Sequence, residues 1–174
     1  MRKDVFMGRI VIVGLGPGSP RDLTLEAWQT LEKATELWLR THHHPVVSGL
    51  PEGLEIHAFD DLYERADTFG DVYAAIVNRV LELGRREQGV VYGVPGHPLV
   101  GESTVTRILE AADGTELEVR VVAGLSFVEP TLTALELDAL DGLQIFDALD
   151  LLPLNHPPIN PDLPALIGQI YSRQ

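Results

Sequence analysis

The sequence predicts an α/β fold with a largely parallel sheet, because short apolar runs alternate with segments of helical periodicity. Residues 10–13 and 90–94 form such runs, which are typical of strands buried on both faces of a sheet. Residues 72–81 and 105–112 instead carry apolar side chains three or four positions apart, the spacing of one helix face. With 174 residues, the chain has room for one compact domain or two small ones.

The predicted elements form three successive strand-and-helix pairs. Strands are predicted at residues 10–13, 36–39, 90–94, 117–122 and 165–171, and helices after Thr24, at 72–81, at 105–112 and from Ser126. The last helix start is marked by a capping-box pattern, Ser126 with Glu129 three residues later, and by Pro130 in the first turn. The proline-rich segment 151–164 predicts a loop. We therefore expect a first α/β lobe of residues 1–115 and an incomplete second α/β lobe of residues 116–174.

Composition excludes several classes of protein. Hydrophobic residues make up 45% of the chain and charged residues 22%, as in globular rather than disordered proteins. The net charge of −13 argues against non-specific nucleic-acid binding, and no apolar run of 18 residues predicts a membrane span. Zero cysteines exclude disulfides, thiolate catalysis and cysteine-ligated zinc, and no signal peptide is recognised. We expect a cytoplasmic protein with neither a nucleic-acid nor a membrane partner.

A glycine-rich loop follows the first strand but departs from the dinucleotide-binding fingerprint. The third glycine, Gly18, is misplaced by one residue, and Pro17 and Pro20 remove two backbone donors that a phosphate would need. Two readings stay open. The loop is either a rigid floor for a ligand with a flat ring and no phosphate, or a tight strand exit that binds nothing.

Two further loops leave predicted strands at the same edge of the sheet. These are "YGVPGHPLVGE", residues 92–102, and "AGLSF", residues 123–127. In parallel α/β sheets, ligands bind in the crevice outside the carboxyl ends of the strands. His97 is either a ligand-facing group or a hydrogen-bonded loop histidine, and Ser126 is a site residue, a helix cap or both.

Two segments contain residue types that bind metal ions in other proteins. "THHHP", residues 41–45, has adjacent histidines that rarely converge on one ion, and "FDDLYERAD", residues 59–67, has paired acids that are commonly just the surface of a loop. The sequence has neither a G-x-S-x-G elbow nor a Ser-His-Asp order. We expect no metal, and the sequence identifies no catalytic acid, base or nucleophile.

The ordered set of motifs resembles a known family. "VGLGPGSPRDLTLEAWQTLEKA", "YGVPGHPLVGE" and "VVAGLSFVEPTLTALEL" closely resemble the tetrapyrrole methylase superfamily, S-adenosylmethionine-dependent enzymes of corrin and sirohaem synthesis. More narrowly, "LRTHHHP", "FDDLYERADTF" and "IFDALDLLPLNHPPINPDLPALIGQIYSR" resemble the methylase domain fused ahead of MazG-type nucleoside triphosphate pyrophosphohydrolases. The resemblance implies a tetrapyrrole methylase-like α/β fold, with a parallel-sheet N-terminal lobe and a truncated C-terminal lobe.

The resemblance also implies a cofactor, its contacts and its partners. S-adenosylmethionine would be contacted by residues from both lobes, namely Pro17, Gly96, His97, Val100, Ser126, Phe127, Gln169 and Ile170. The implied activity is methyl transfer to a small-molecule acceptor that the sequence does not identify. The alternatives are a catalytically silent module regulating a fused hydrolase, or an NAD-binding oxidoreductase. Family members associate as homodimers, and apolar strand segments 117–122 and 165–171 also predict an unpaired sheet edge and hence a dimer.

Overall fold

The computed structural model describes residues 8–65 and 68–170. The chain divides into two compact units, Met1–Ser126 and Phe127–Gln174. This division falls later than the predicted one at residues 115 and 116, because the strand at residues 117–122 pairs with the first strand of the chain. The segment 116–126 therefore belongs with the first unit.

In the described residues, strands and helices alternate along both units. The first unit contains β1 (Gly8–Gly14), α1 (Leu25–Glu32), β2 (Glu36–Leu39), β3 (Glu55–Ala58), α2 (Asp60–Arg65), α3 (Phe69–Gly84), β4 (Val90–Val94), α4 (Ser103–Ala112) and β5 (Leu117–Val122). The second contains α5 (Val128–Leu135), β6 (Gln144–Asp147), α6 (Ala148–Leu151) and β7 (Ala165–Gly168). Short 3-10 turns span Pro20–Asp22, Pro45–Gly49 and Ala139–Asp141.

The first unit is built on a parallel sheet. Its five described strands lie in the order β3-β2-β4-β1-β5, and each hydrogen-bonded pair is parallel. In the centre, Ile10 of β1 lies opposite Val90 of β4 on one side and Val119 of β5 on the other. The predicted α/β fold with a parallel sheet is thus confirmed.

Successive side chains of the strands point to opposite faces of this sheet, and an apolar core lies on each face. Ile10 and Ile12 of β1 point to the core that α3 and α4 cover, which also contains Tyr92. Val11 and Val13 point to the opposite core, which α1 covers. Strands buried on both faces explain why the sequence shows apolar runs instead of polar-apolar alternation.

The two central strands, β1 and β4, send their connections to opposite faces. The chain leaving β1 enters α1 on one face, and the chain leaving the adjacent β4 enters α4 on the other. The two connections diverge at the carboxyl ends of neighbouring strands, which opens a crevice there. We call this place the switch point.

The second unit contains a short parallel pair, β6 with β7, in which Gln144 lies opposite Ala165. The ring of Phe127 lies against Gly168, where an added Cβ would be 3.2 Å from the Phe127 Cζ atom. The predicted strand 165–171 is too long. It ends at Gly168, Gln169 has a left-handed φ of 62°, and residue 171 lies outside the described residues.

Two other predictions are corrected. Residues 60–65, predicted as an acidic loop, form α2, a helix too short to show apolar periodicity in the sequence. Helix α5 begins at Val128 with Phe127 as its N-cap residue, slightly later than the predicted start at Ser126. The predicted cap of α1 is confirmed, because the Thr24 hydroxyl accepts a hydrogen bond from the Ala27 N–H at 3.1 Å. None of the described helices is long and apolar enough to cross a membrane.

Candidate functional site

The loops that leave β1 and β4 are joined by backbone hydrogen bonds at the switch point. Gly16 N–H donates to the Gly96 carbonyl at 3.2 Å, and Gly96 N–H donates to the Gly16 carbonyl at 2.8 Å. Both glycines have left-handed backbone angles, with φ of 72° and 68°, which side chains other than glycine adopt with strain. The two loops therefore form a single ordered floor at the carboxyl edge of the sheet.

Close backbone contact brings the loop after β5 to the same place. A Cβ atom on Gly14 would lie 2.6 Å from Gly124 N and 2.7 Å from Gly96 O. These distances are shorter than any real Cβ contact, so only glycine at Gly14 allows the three loops to approach this closely. Thr24 adds a further tie, since its hydroxyl donates to the Ala123 carbonyl at 3.0 Å.

The backbone amides of this floor are used within the protein. Leu15 N–H donates to the Val94 carbonyl at 2.9 Å, and the Gly16 and Gly96 amides are used between the loops. Pro17 has no N–H at all. These positions thus supply no free donors of the kind that phosphate-binding loops aim at a pyrophosphate, which argues against a dinucleotide site here.

His97 organises the second loop locally. Its Nδ1 accepts a hydrogen bond from the Leu99 N–H at 3.0 Å, and its carbonyl accepts one from the Val100 N–H at 3.0 Å. The hydrogen-bonded loop histidine predicted as one alternative is therefore present. No described residue hydrogen-bonds the other ring nitrogen, Nε2, so the same side chain keeps a polar atom for a ligand.

The predicted cofactor-contacting residues fall into two groups. Pro17, Gly96, His97, Val100 and Ser126 belong to the first unit and lie on the loops that converge at the switch point. A Cβ on Gly96 would make ordinary van der Waals contacts of 3.9 Å with Leu125 O and Ser126 Cα, so Gly96 lies beside Leu125 and Ser126. Phe127, Gln169 and Ile170 belong to the second unit. Ser126 is buried, while Pro17, Phe127 and Ile170 are exposed.

Sequence reasoning missed a buried ion pair next to the second loop. Arg40, just after β2, donates from Nη1 to Glu102 Oε2 at 2.7 Å, and the Glu102 side chain is only 3% exposed. Glu102 also caps α4, because its Oε1 accepts from Thr104 N at 3.3 Å and from the Thr104 hydroxyl at 2.7 Å. Nothing in the local sequence signals a pair separated by 62 positions.

Polar atoms around this ion pair are buried without a partner in the described residues. They are Arg40 Nε, the Tyr63 hydroxyl, His44 Nδ1 and Trp38 Nε1. Buried polar groups of this kind are ordinarily hydrogen-bonded to protein groups or to ordered water.

Charges in the cluster act on their neighbours. Burial disfavours the Arg40 charge, but Glu102 together with the neighbouring tyrosines outweighs it and raises the Arg40 pKa above its ordinary value. Burial lowers the pKa of His44, and the Arg40 charge lowers it further, which favours the neutral imidazole. Burial raises the pKa of Tyr92 well above its ordinary value, so the phenol stays protonated and hydrogen-bonds the Thr104 hydroxyl at 3.0 Å.

The histidine-rich loop is held by a carboxylate. Asp60 accepts from the Thr41 hydroxyl and from the His42 N–H, both at 2.7 Å, and its pKa is lowered because these hydrogen bonds outweigh the opposing effect of burial. The described residues contain no group of three or more His, Asp or Glu side chains placed to bind a metal ion. Asp60 therefore has a structural role in shaping residues 41–44.

A second concavity, with a volume of about 320 Å³, lies at the opposite, amino-terminal edge of the sheet. Its walls carry charges of both signs, and Arg120 pairs there with Glu26 at 2.6 Å while Arg86 pairs with Glu36. Ligands of parallel α/β sheets bind at the carboxyl edge, which this concavity does not touch. The switch point therefore remains the candidate site.

A doubly wound parallel sheet with three loops meeting at its switch point defines an open-sheet α/β domain, and the comparisons with known proteins place it in a family. Residues 9–167 match the family described as Tetrapyrrole (Corrin/Porphyrin) Methylases. The chain belongs to this family.

Two curated relatives match part of their length. The protein YabN of Bacillus subtilis is 41% identical over 154 residues, covering 86% of this chain and 31% of that protein. A protein named pantothenate kinase, from Myxococcus xanthus, is 30% identical over 136 residues, covering 71% of this chain and 43% of that protein. The chain thus spans less than half the length of either relative.

Solved structures share the fold. The uroporphyrin-III C-methyltransferase from Thermus thermophilus matches with a TM-score of 0.62 at 26% identity, covering 83% of this chain and 62% of that one. Precorrin-6Y methylase from Archaeoglobus fulgidus matches with a TM-score of 0.54 at 23% identity, covering 80% and 63%. A structure of the Thermus thermophilus methyltransferase in complex with S-adenosylhomocysteine matches with a TM-score of 0.51 at 21% identity, covering 80% and 59%. The chain has the methyltransferase fold of this family.

Proposed function

We propose that this chain is an S-adenosylmethionine-binding methyltransferase domain whose cofactor lies at the switch point. The observation that carries the proposal is the paired Gly16 and Gly96, which form a floor beside Ser126 whose Leu15, Gly16 and Gly96 amides are already used within the protein. S-adenosylmethionine has a flat adenine ring and no phosphate, so these residues fit it better than they fit a dinucleotide. The same geometry argues against the NAD-binding alternative.

The proposed cofactor contacts in the first unit are those that converge at this floor. Pro17 and Gly96 would contact the cofactor through their backbone, and His97 would contact it through Nε2. Val100 and Ser126 lie next to these residues. In the second unit, Phe127, Gln169 and Ile170 are proposed from the family resemblance alone. Gln169 keeps a left-handed φ of 62° directly after Gly168, against which the Phe127 ring lies.

The chemistry explains why the chain needs no conspicuous acid-base pair. When bound, S-adenosylmethionine would supply a methyl group already activated for in-line displacement, with S-adenosylhomocysteine as the leaving group. The protein's part is to orient the two reactants and to exclude water from them. Rigid loops whose amides and glycines are already fixed suit that task.

A second function, a catalytically silent cofactor-binding module, is favoured by one observation. The same domain matches 43% of a relative whose name, pantothenate kinase, describes a different activity. A binding module attached to unrelated activities would give this pattern. We also propose that the full protein is longer and carries a nucleoside triphosphate pyrophosphohydrolase domain, and that it assembles as a homodimer.

Isothermal titration calorimetry with S-adenosylmethionine and S-adenosylhomocysteine tests the proposed site. We expect micromolar binding of both compounds and no binding of NAD. Absence of binding by the chain and by a longer form with the rest of the second unit's sequence would refute the proposal. Binding without methyl transfer to any of a panel of tetrapyrrole precursors would favour the silent module.

A further inference from the structure

Arg40 holds both ends of the loop that joins β4 to α4. Its backbone N–H donates to the Gly93 carbonyl at 3.1 Å, near the end of β4. Its side chain donates to Glu102 Oε2 at 2.7 Å, and Glu102 is the residue that caps α4. Residues 95–101 therefore lie between the two residues that Arg40 contacts, Gly93 and Glu102.

We propose that Arg40 is a positioning residue that fixes the loop of Gly96, His97 and Val100 in the form that binds the cofactor. The inference rests on the proposed function and adds to it a residue with no predicted contact to the cofactor. Arg40 acts through Glu102, whose two carboxylate oxygens are both engaged.

Stability alone does not account for the pair. Replacing a buried ion pair by apolar side chains of similar volume is often neutral or stabilising, so such pairs are poor devices for holding a fold together. What the pair does provide is a fixed direction for the Glu102 end of the loop, whose Gly93 end is held by the Arg40 backbone N–H.

The chain offers a matched control at the opposite edge of the same sheet. Arg86 pairs with Glu36, the first residue of β2, and the Arg86 side chain is 30% exposed against 26% for Arg40. Arg86 also binds backbone, donating to the Leu83 carbonyl at 3.1 Å and to the Gly89 carbonyl at 3.0 Å. None of its hydrogen bonds in the part of the chain that the structure describes reaches residues 95–102, so its loss removes an ion pair without removing a bond to the loop, although Glu36 is 19% exposed against 3% for Glu102.

The experiment uses three test variants, which are Arg40→Met, Glu102→Gln and the double variant that combines these two changes. The control is Arg86→Met. Titration calorimetry measures S-adenosylhomocysteine affinity, thermal unfolding measures stability, and hydrogen exchange measures opening of the Gly96 and Val100 amides without ligand. We expect Arg40→Met to weaken binding about tenfold, a difference that calorimetry resolves readily, and to speed exchange of both amides. The double variant should resemble Arg40→Met, because both act through one contact.

Arg86→Met should bind S-adenosylhomocysteine as the unchanged protein does, although its thermal midpoint falls by a similar amount. Equal loss of affinity in Arg86→Met and Arg40→Met would overturn the proposal, since general destabilisation would then explain both. Unchanged exchange at Gly96 and Val100 in Arg40→Met would also overturn it. If the unchanged protein binds no S-adenosylhomocysteine, the proposed function fails, and the exchange measurement still decides whether Arg40 positions the loop.

Discussion

The hydroxyl of Thr24 donates a hydrogen bond to the Ala123 carbonyl at 3.0 Å, across 99 positions of sequence. The same oxygen accepts from the Ala27 N–H at 3.1 Å and so caps α1. Ala123 follows β5, and Thr24 precedes α1. One small side chain therefore joins a helix start to a strand exit at the candidate site.

Replacing Thr24 by valine keeps the shape of the side chain and removes both hydrogen bonds. We expect a loss of about 0.5–2 kcal/mol in the free energy of unfolding, the usual cost of a lost cap. Thr24→Ser keeps the hydroxyl and should lose far less. Urea unfolding of the two variants decides the point, and equal stability of Thr24→Val and the unchanged protein would contradict this account.

Gly14→Ala should destabilise the protein because the added methyl group meets backbone. Its Cβ would lie 2.6 Å from Gly124 N and 2.7 Å from Gly96 O, and neither atom belongs to a flexible side chain. Overpacking of this kind costs about 1–3 kcal/mol.

The control for this change is Gly70→Ala in α3. A Cβ there meets only Thr68 Oγ1 at 3.6 Å, an ordinary contact, and the residue lies in a helix. We expect stabilisation by about 0.4–1 kcal/mol from the reduced freedom of the unfolded chain. Thermal unfolding should thus move the midpoints of the two glycine variants in opposite directions.

Asp60→Asn should make the free energy of unfolding less dependent on pH in the acidic range. The lowered pKa of Asp60 means that its carboxylate stabilises the fold above the ordinary value of 3.8, and that this contribution disappears as the pH falls through the lower folded pKa. At neutral pH we expect the variant to lose about 1–3 kcal/mol, because the Thr41 and His42 donors lose a charged acceptor.

Unfolding measured from pH 7 to pH 2 tests this prediction, with Asp61→Asn as the control. Asp61 lies beside Asp60 on α2, but it is mostly exposed and only pairs with Arg65 at 3.7 Å, so its loss should change stability by less than about 1 kcal/mol. The gap between Asp60→Asn and the unchanged protein should close in acid. A gap that persists at the lowest pH would show that the carboxylate charge is not responsible.

His97 is tested with two variants that separate its local and ligand-facing roles. Asparagine has a side-chain oxygen that can accept the Leu99 N–H in place of Nδ1, whereas alanine cannot. If Nε2 contacts the cofactor, both variants should weaken S-adenosylhomocysteine binding about tenfold while the thermal midpoint without ligand changes little. Normal affinity in His97→Asn would assign His97 a role in the turn alone.

The dimer prediction is tested by light scattering. β5 lies at one edge of the described sheet, and large apolar side chains of the second unit are exposed, among them Leu135, Leu140, Leu152 and Ile170. Unpaired strand edges and apolar surface both favour association. We expect a mass about twice the 19.1 kDa of one chain, and a monodisperse monomer would contradict the prediction.

Sequence patterns predicted the buried strands and longer helices well, because these elements have strong periodic signals. β1 and β4 contain apolar runs, β5 alternates apolar residues with Glu118 and Arg120, and α3 has a clear apolar face. β3 was missed, since its residues Glu55 to Ala58 form a partly exposed edge strand with no apolar run. β6 and α6 were missed because elements of four residues each are too short to show a periodic pattern.

The site was only partly readable from the sequence. The three loops could be placed together because the carboxyl ends of parallel strands share one edge of the sheet. The position of Gly14, Gly96 and Gly124 against one another depends on strand order, which local patterns do not encode. Arg40 and Glu102 were missed because an ion pair between distant segments leaves no spacing rule to recognise.

The crevice at the switch point comes from the order of the strands and from the glycines that let the loops meet, and it depends little on the other side chains of the loops. The presence of the crevice and the choice of ligand that binds in it can therefore be changed separately. On the proposed function, the core under β1 and β4 would determine where the ligand binds, and residues 95–101 would determine which ligand is accepted. Exchanging that segment for the matching loop of another methylase, with Arg40 and Glu102 kept as its two attachment points, should give a folded chimera with altered ligand preference.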